Sequence, residues 1–396
     1  MRKVLLLIAL TAATATGFHC TRKDAAADTT PSYPAVAATF GNRIDLANLS
    51  DYAGQGRPAY IVKDNTAGNA ISNAKATLGR VLFYDTRLSI SNSVSCGSCH
   101  RQAFAFGDTA VASAGVEGGS TGRHSMRLVN ARFGNEVRFF WDERAATLEQ
   151  QVTKPIQDHA EMGFSGLNGR PGIGTLLTRL SGVDYYQELF RFAYGDATVT
   201  EARMQECLAQ FVRSIQSFDS KYDAGRAQVA NNNAPFPNFT AQENQGKNLF
   251  TAAPVFGAGG QRTGGGLGCN GCHNAPEFDI DPNSRNNGIT GTIGNTGTDL
   301  NSTRAPSLRD LLRPDGTLNG PLMHTGAFTS LQQVLNHYGN IPAVAGNNNL
   351  DPRLRPGGNP QRLNLTAAEV TAVVAFLRTL SGTNVYTDPK WSDPFR

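Results

Sequence analysis

Two pentapeptides 173 residues apart constrain this chain more than any other feature: Cys96-Gly97-Ser98-Cys99-His100 and Cys269-Asn270-Gly271-Cys272-His273. C-x-x-C-H is the attachment pattern of a c-type haem. Each thiol adds across one haem vinyl group, and the adjacent histidine reaches the iron as its proximal ligand. The competing readings explain less. A zinc site would need the two motifs to share one metal and would leave the histidine after each pair without a reason. A thioredoxin-like or exported disulfide pair accounts for neither the histidine nor the duplication. The motifs predict two covalently bound c-type haems, with Cys96, Cys99, Cys269 and Cys272 holding the porphyrins and His100 and His273 binding the irons. Their separation predicts one domain for each.

The other two cysteines read differently. Cys207 recurs with Met204, Leu208, Phe211, Ile215 and Phe218 at helical spacing, which makes it a small core residue. Cys20 follows a targeting pattern: Arg2-Lys3, then the apolar run from Val4 to Leu10, then small residues. Residues 1–19 are read as an export signal. Cleavage after Ala13-Thr14-Ala15 would release a soluble protein, and cleavage before Cys20 would leave a lipid anchor there. No other stretch reaches transmembrane length, so the mature protein is not a transmembrane protein. The formal charge of +4 falls to +2 without Arg2 and Lys3, too little to argue for nucleic acid as a partner. With 396 residues, 40% hydrophobic and 17% charged, the chain is neither a disordered tail nor a polytopic membrane protein.

Patterning predicts a mostly α protein of two cytochrome c-like haem domains with long loops. Leu78, Val81 and Leu82 mark a helix before the first motif, and a Gly- and Ser-rich loop covers 89–139. Segments 142–151 and 173–194 read as helices, and 204–218 closes this half. Pro235 and Pro237 mark a linker over 231–238. Capping boxes at Thr240-Ala241-Gln242-Glu243 and Thr366-Ala367-Ala368-Glu369 open two helices of the second half, the latter ending at Gly382. The predicted organisation is a signal peptide at 1–19, a flexible linker at 20–35, a peroxide-reactive haem domain at 36–230, an electron-transfer haem domain at 231–385 and a tail at 386–396.

Several stretches resemble the bacterial di-haem cytochrome c peroxidase and MauG family. They are Leu78-Gly79-Arg80-Val81-Leu82-Phe83, Phe140-Trp141-Asp142-Glu143-Arg144-Ala145, Glu161-Met162-Gly163, Arg304-Ala305-Pro306-Ser307-Leu308-Arg309 and Met323-His324-Thr325-Gly326. They run in family order over about residues 75–382. The resemblance implies a periplasmic enzyme, soluble or lipid-anchored. Its first haem would reduce hydrogen peroxide and its second would receive electrons from a small cytochrome or cupredoxin. By position Trp141 matches the tryptophan between the haems, Glu161 the distal acid–base carboxylate and Gln151 the distal amide. On residues alone, Trp141 is a core aromatic and Glu161 a solvated charge. The chemistry favours the match for Glu161, since one positioned carboxylate can move the peroxide proton from the inner to the outer oxygen.

Departures from the family point toward its MauG-like branch. Val116 falls where many of its peroxidases carry a histidine that caps the first haem, so that haem is expected to be open. The resemblance also implies a calcium ion between the domains. His124 stands in place of an asparagine that helps hold it, which argues against the ion, although Pro321 matches a position contributing a carbonyl. Tyr338, fourteen residues after His324, stands where the peroxidases have the methionine ligand of the second haem. The segment 331–338 reads as a helix with Leu331, Val334, Leu335 and Tyr338 on one face, and His337 lies roughly 100° away. Tyr338 is thus the candidate distal ligand. Peroxide reduction is the leading reading. A MauG-like oxidase of a protein or organic substrate and a non-enzymatic electron-transfer cytochrome are the alternatives; Val116 argues against the last.

Overall fold

Eleven α-helices and two short β-ribbons carry the described residues, 32–135, 138–280 and 284–396, of this computed structural model. The first half holds α1 (Pro34–Phe40), α2 (Asn73–Tyr84), α3 (Cys96–Cys99), α4 (Leu148–Gln157), α5 (Ile173–Ser181), α6 (Asp184–Tyr194), α7 (Glu201–Ser214) and α8 (Lys221–Arg226). The second holds α9 (Ala241–Thr251), α10 (Leu331–Gly339) and α11 (Ala367–Arg378). Strand β1 (Pro254–Phe256) pairs antiparallel with β2 (Arg262–Gly265), and β3 (His273–Asn274) with β4 (Asp279–Ile280). The predicted signal at 1–19, Cys20 and most of the 20–35 linker lie outside the described residues. Among those described, no helix is long and apolar enough to cross a membrane.

Side-chain caps decide where the helices begin. Both predicted capping boxes form, at Thr240 and Thr366, each with its glutamate returning to the threonine N–H. The helix expected over 142–151 begins instead at Leu148. Thr147 accepts from Gln150 N–H, while Asp142 is engaged by Arg123 and Arg144. The 173–194 helix is two, broken at Gly182 and Val183. Helix α7 stops at Ser214 because Ile215 turns extended and its carbonyl accepts from Asn130. Helix α11 ends at Arg378, short of Gly382, whose N–H goes to Asp310.

Each half is organised on a crossed pair of helices, α2 on α7 and α9 on α11. Both crossings depend on a glycine. A Cβ at Gly79 would lie 2.0 Å from the Cys207 carbonyl oxygen, and one at Gly246 would lie 1.9 Å from that of Ala372. Only glycine lets the backbones approach so closely. Cys207 is fully buried in α7, as predicted. A buried cation follows each glycine and holds a distant segment by its carbonyls. Arg80 donates to Ser392 O at 2.7 Å, and Lys247 to Ala234 O at 2.8 Å.

Two apolar cores follow these pairs. One gathers residues from Val36 to Ile215, and the other residues from Tyr222 to Leu380. The segment 386–396, expected as a tail, folds back onto the first core. Trp391 is buried there, and Tyr52 and Tyr84 donate to the carbonyls of Lys390 and Trp391. A buried ion pair, Arg309 to Asp223 at 2.8 Å, sits where Tyr60 also donates to Asp223.

Candidate active site

The two motifs differ in backbone, an α-helical turn at Cys96–Cys99 and a tighter turn leading into β3 at the second, but hold their histidines alike. His100 Nδ1 donates to Phe106 O at 3.1 Å and His273 Nδ1 to Pro306 O at 3.0 Å. A carbonyl can only accept, so Nδ1 carries the proton and Nε2 keeps its lone pair for a metal. Burial favours the neutral imidazoles, lowering the pKa of His100 and taking that of His273 to about 4. It pushes the thiols up, Cys96 and Cys269 to about 12 and Cys99 to about 11. Reactive thiol pairs are shifted the other way, which argues against the thioredoxin-like reading. Among the described residues no three His, Cys, Asp or Glu side chains converge, so the motifs do not share a metal.

A cavity of about 610 Å³ opens beside the second motif, and one of about 70 Å³ beside the first. The larger is within the span of cofactor pockets, roughly 300–1,000 Å³. Donor set and volume together fit a haem there. At the first motif the donor set fits, and the cavity, smaller than that span, must widen to admit a porphyrin.

The smaller cavity gathers Cys96, Cys99, His100, Gln151 and Glu161. Gln151 faces it from α4, where Pro155 withholds the N–H that would otherwise bond the Gln151 carbonyl. Glu161 follows a turn in which Asp158 accepts from the N–H groups of Ala160 and Glu161. Burial, with Asp158 nearby, raises the Glu161 carboxyl to about 7. A loop backs this turn closely enough that a Cβ on Gly115 would lie 1.9 Å from Ala160 O. Val116 N–H bonds Glu161 O at 3.0 Å, and the Val116 side chain is buried in the first core. Ala114 and Thr121 line the cavity from this loop instead, and His100 is the only imidazole among its lining residues.

The larger cavity gathers Cys269, Cys272, His273, Tyr338 and Trp141. The apolar face of α10 carries Tyr338 inward, and burial raises its phenol well above the ordinary value. His337 points elsewhere, its Nε2 at 2.9 Å from Asn287 O. Met323 also lines this cavity. Trp141 is pinned at both ends. Its Nε1 donates to His124 O at 2.7 Å, and its carbonyl accepts from Arg304 N at 2.8 Å. Its ring lies 6.2 Å from that of His324. Ser125, next to His124, lines both cavities.

At the position implied for calcium, His124 puts an imidazole where an oxygen ligand is expected. His124 turns Nδ1 to Ala110 O at 2.9 Å, and its ring lies beside Gly320, next to Pro321. Nδ1 therefore carries the proton and has no lone pair for a hard cation, which prefers oxygen ligands. Among the residues of the larger cavity that sequence reasoning left without a role are two arginines, Arg127 and Arg304. Arg127 stands in no motif, the stretch that carries Arg304 marks the family and assigns it no role, and only the folded chain shows that both face this cavity.

These features define a di-haem c-type cytochrome of the peroxidase type. A family model, di-haem cytochrome c peroxidase, matches residues 73–231. The methylamine utilization protein MauG of Methylorubrum extorquens is 30% identical over 367 residues, 89% of this chain and 90% of that protein. The cytochrome c551 peroxidase of Nitrosomonas europaea is 27% identical over 320 residues, 78% of this chain and 80% of the other. The crystal structure of a MauG-like protein associated with microbial copper homeostasis superposes with a TM-score of 0.66 at 28% identity, covering 87% of this chain and 99% of that one. The chain belongs to the di-haem cytochrome c peroxidase and MauG family, oxidoreductases that carry two c-type haems.

Proposed function

We propose that this protein is an exported peroxidase, reducing hydrogen peroxide to water beside the first motif with electrons that enter beside the second. The observation that carries this reading is Trp141, which lines the larger cavity and is held by the carbonyl of His124, next to Ser125, a residue that lines both cavities. Its donors would be small cytochromes or cupredoxins in the periplasm. When bound, the haems supply the iron that takes up and delivers the electrons. The balance is one peroxide, two electrons and two protons to two waters.

The chain's own residues handle the protons. Glu161, ionised, takes the proton from the inner peroxide oxygen and returns it to the outer one, which leaves as water. Gln151 orients the peroxide from α4. Val152, Met162 and Leu208 keep the cavity dry, so the carboxylate acts where its charge is poorly screened. Val116 leaves this cavity free of a second histidine, so peroxide can enter the oxidised protein directly.

A second reading, a MauG-like oxidase of a protein or organic substrate, is favoured by Tyr338. A phenolate ligand lowers the potential of the second haem and makes it a poor acceptor from a mild donor. Spectra of the diferric protein before and after one equivalent of peroxide separate the readings. Immediate reaction followed by oxidation of two equivalents of reduced cytochrome supports the peroxidase. A long-lived oxidised state that ignores the cytochrome and decays with an organic reductant supports the oxidase. No reaction until the second haem is reduced would refute the open first site.

A further inference from the structure

We propose that Arg127 anchors a propionate of the haem in the larger cavity and, through its charge, sets that haem's reduction potential. Arg127 lines the cavity and donates from Nη2 to Ser307 O at 3.1 Å. Ser307 follows Pro306, whose carbonyl holds the His273 imidazole. On its other side the Arg127 stem packs on Gly107, where a Cβ would lie 2.9 Å from Cγ. Gly107 follows Phe106, whose carbonyl holds the His100 imidazole. One arginine side chain therefore reaches from the segment that holds His100, where its stem packs, to the segment that holds His273, where its guanidinium bonds.

Its charge lacks a counter-ion. Among the described residues Arg127 makes no ion pair, and its buried Nε has no hydrogen-bond partner. Burial pulls its pKa below the ordinary value, with Tyr386 and Asp310 opposing only at a distance. Arg353, in the same cavity, shows the contrast: Asp351 neutralises it at 2.7 Å. A buried, uncompensated charge is costly unless a partner of opposite sign arrives. The two propionates are the anionic groups a haem brings into such a cavity, and the planar fork of arginine matches a carboxylate. A cation at this point favours the reduced iron, so its removal must lower the midpoint potential.

The test is a spectroelectrochemical titration of the two-haem protein as Arg127→Gln and Arg127→Lys, with resonance Raman spectra of the propionate bending mode. In the glutamine variant the equilibrium constant for reducing the second haem should fall at least tenfold, about 59 mV for one electron. The lysine variant keeps the charge without the fork, so its potential should fall less while the bending mode still moves. A glutamine variant with both haems, an unchanged potential and an unchanged bending mode overturns the proposal. If glutamine prevents haem loading, the lysine variant decides alone: a displaced mode supports the contact and an unchanged one refutes it.

Discussion

Replacing Glu161 by glutamine separates two consequences of one buried carboxyl. Burial and Asp158 raise it from the ordinary 4.5 to about 7. At about 1.4 kcal/mol per pKa unit, the folded protein disfavours the ionised form by about 3 kcal/mol. The folded chain holds a proton that the unfolded chain releases between these two values. Stability therefore falls as pH rises through this window, and the whole cost is present above pH 7. Glutamine cannot ionise. The variant should match the wild type below about pH 4.5 and exceed it by about 3 kcal/mol above about pH 7, as read from urea unfolding. Activity should move the opposite way. Only the carboxylate can accept the peroxide proton, so the wild-type rate should climb with pH through about 7 and then level. The variant should lose about 10²–10⁴-fold and show no climb in stopped-flow mixing with peroxide. A variant that keeps the wild-type rate or its rise with pH would remove Glu161 from the reaction. A stability gain independent of pH would refute the buried carboxylate.

The intact protein should weigh two haems more than its apoprotein, and replacing both Cys269 and Cys272 by serine should leave one. Tyr338→Phe should open the second haem to added ligands, and Tyr338→Met should raise its potential. If neither changes the spectrum, Met323, which lines the same cavity, becomes the distal ligand. Chelators should leave the melting temperature and peroxide rate unchanged, because His124 holds Ala110 O without an ion. A chelator-sensitive wild type would show that a cation binds after all.

The chemistry was more legible in the sequence than the architecture that positions it. The motif residues, Glu161 and Gln151 could be named because thioether attachment and the family order tie them to positions along the chain. Thr240 and Thr366 could be named because a cap is a contact over three residues. The internal duplication was harder to see. Gly79-Arg80-Val81-Leu82-Phe83 and Gly246-Lys247-Asn248-Leu249-Phe250 share a glycine, a cation and Leu-Phe. Apolar spacing does not register a glycine whose purpose is to be absent as a side chain. Trp391 and Arg127 lay beyond sequence reasoning for a related reason. Burial of a terminal tryptophan, or of a charge, is decided by segments hundreds of residues away or by the shape of a cavity.

The glycine crossings also dictate an order of assembly. Each joins residues more than a hundred positions apart, and each interval contains one C-x-x-C-H motif. Contacts of such separation form late. A chain emerging N-terminus first exposes Cys96 and Cys99 on an open loop until α7 arrives, and Cys269 and Cys272 until α11 arrives. Docking of the helix is the moment at which the door shuts. A thiol that has not met its vinyl group by then is left half-buried on the wall of a cavity, where the surroundings of Cys96 and Cys269 disfavour the thiolate. Helix docking and haem attachment are thus coupled in time, and a variant that docks α7 or α11 faster is expected to yield less haem-loaded protein.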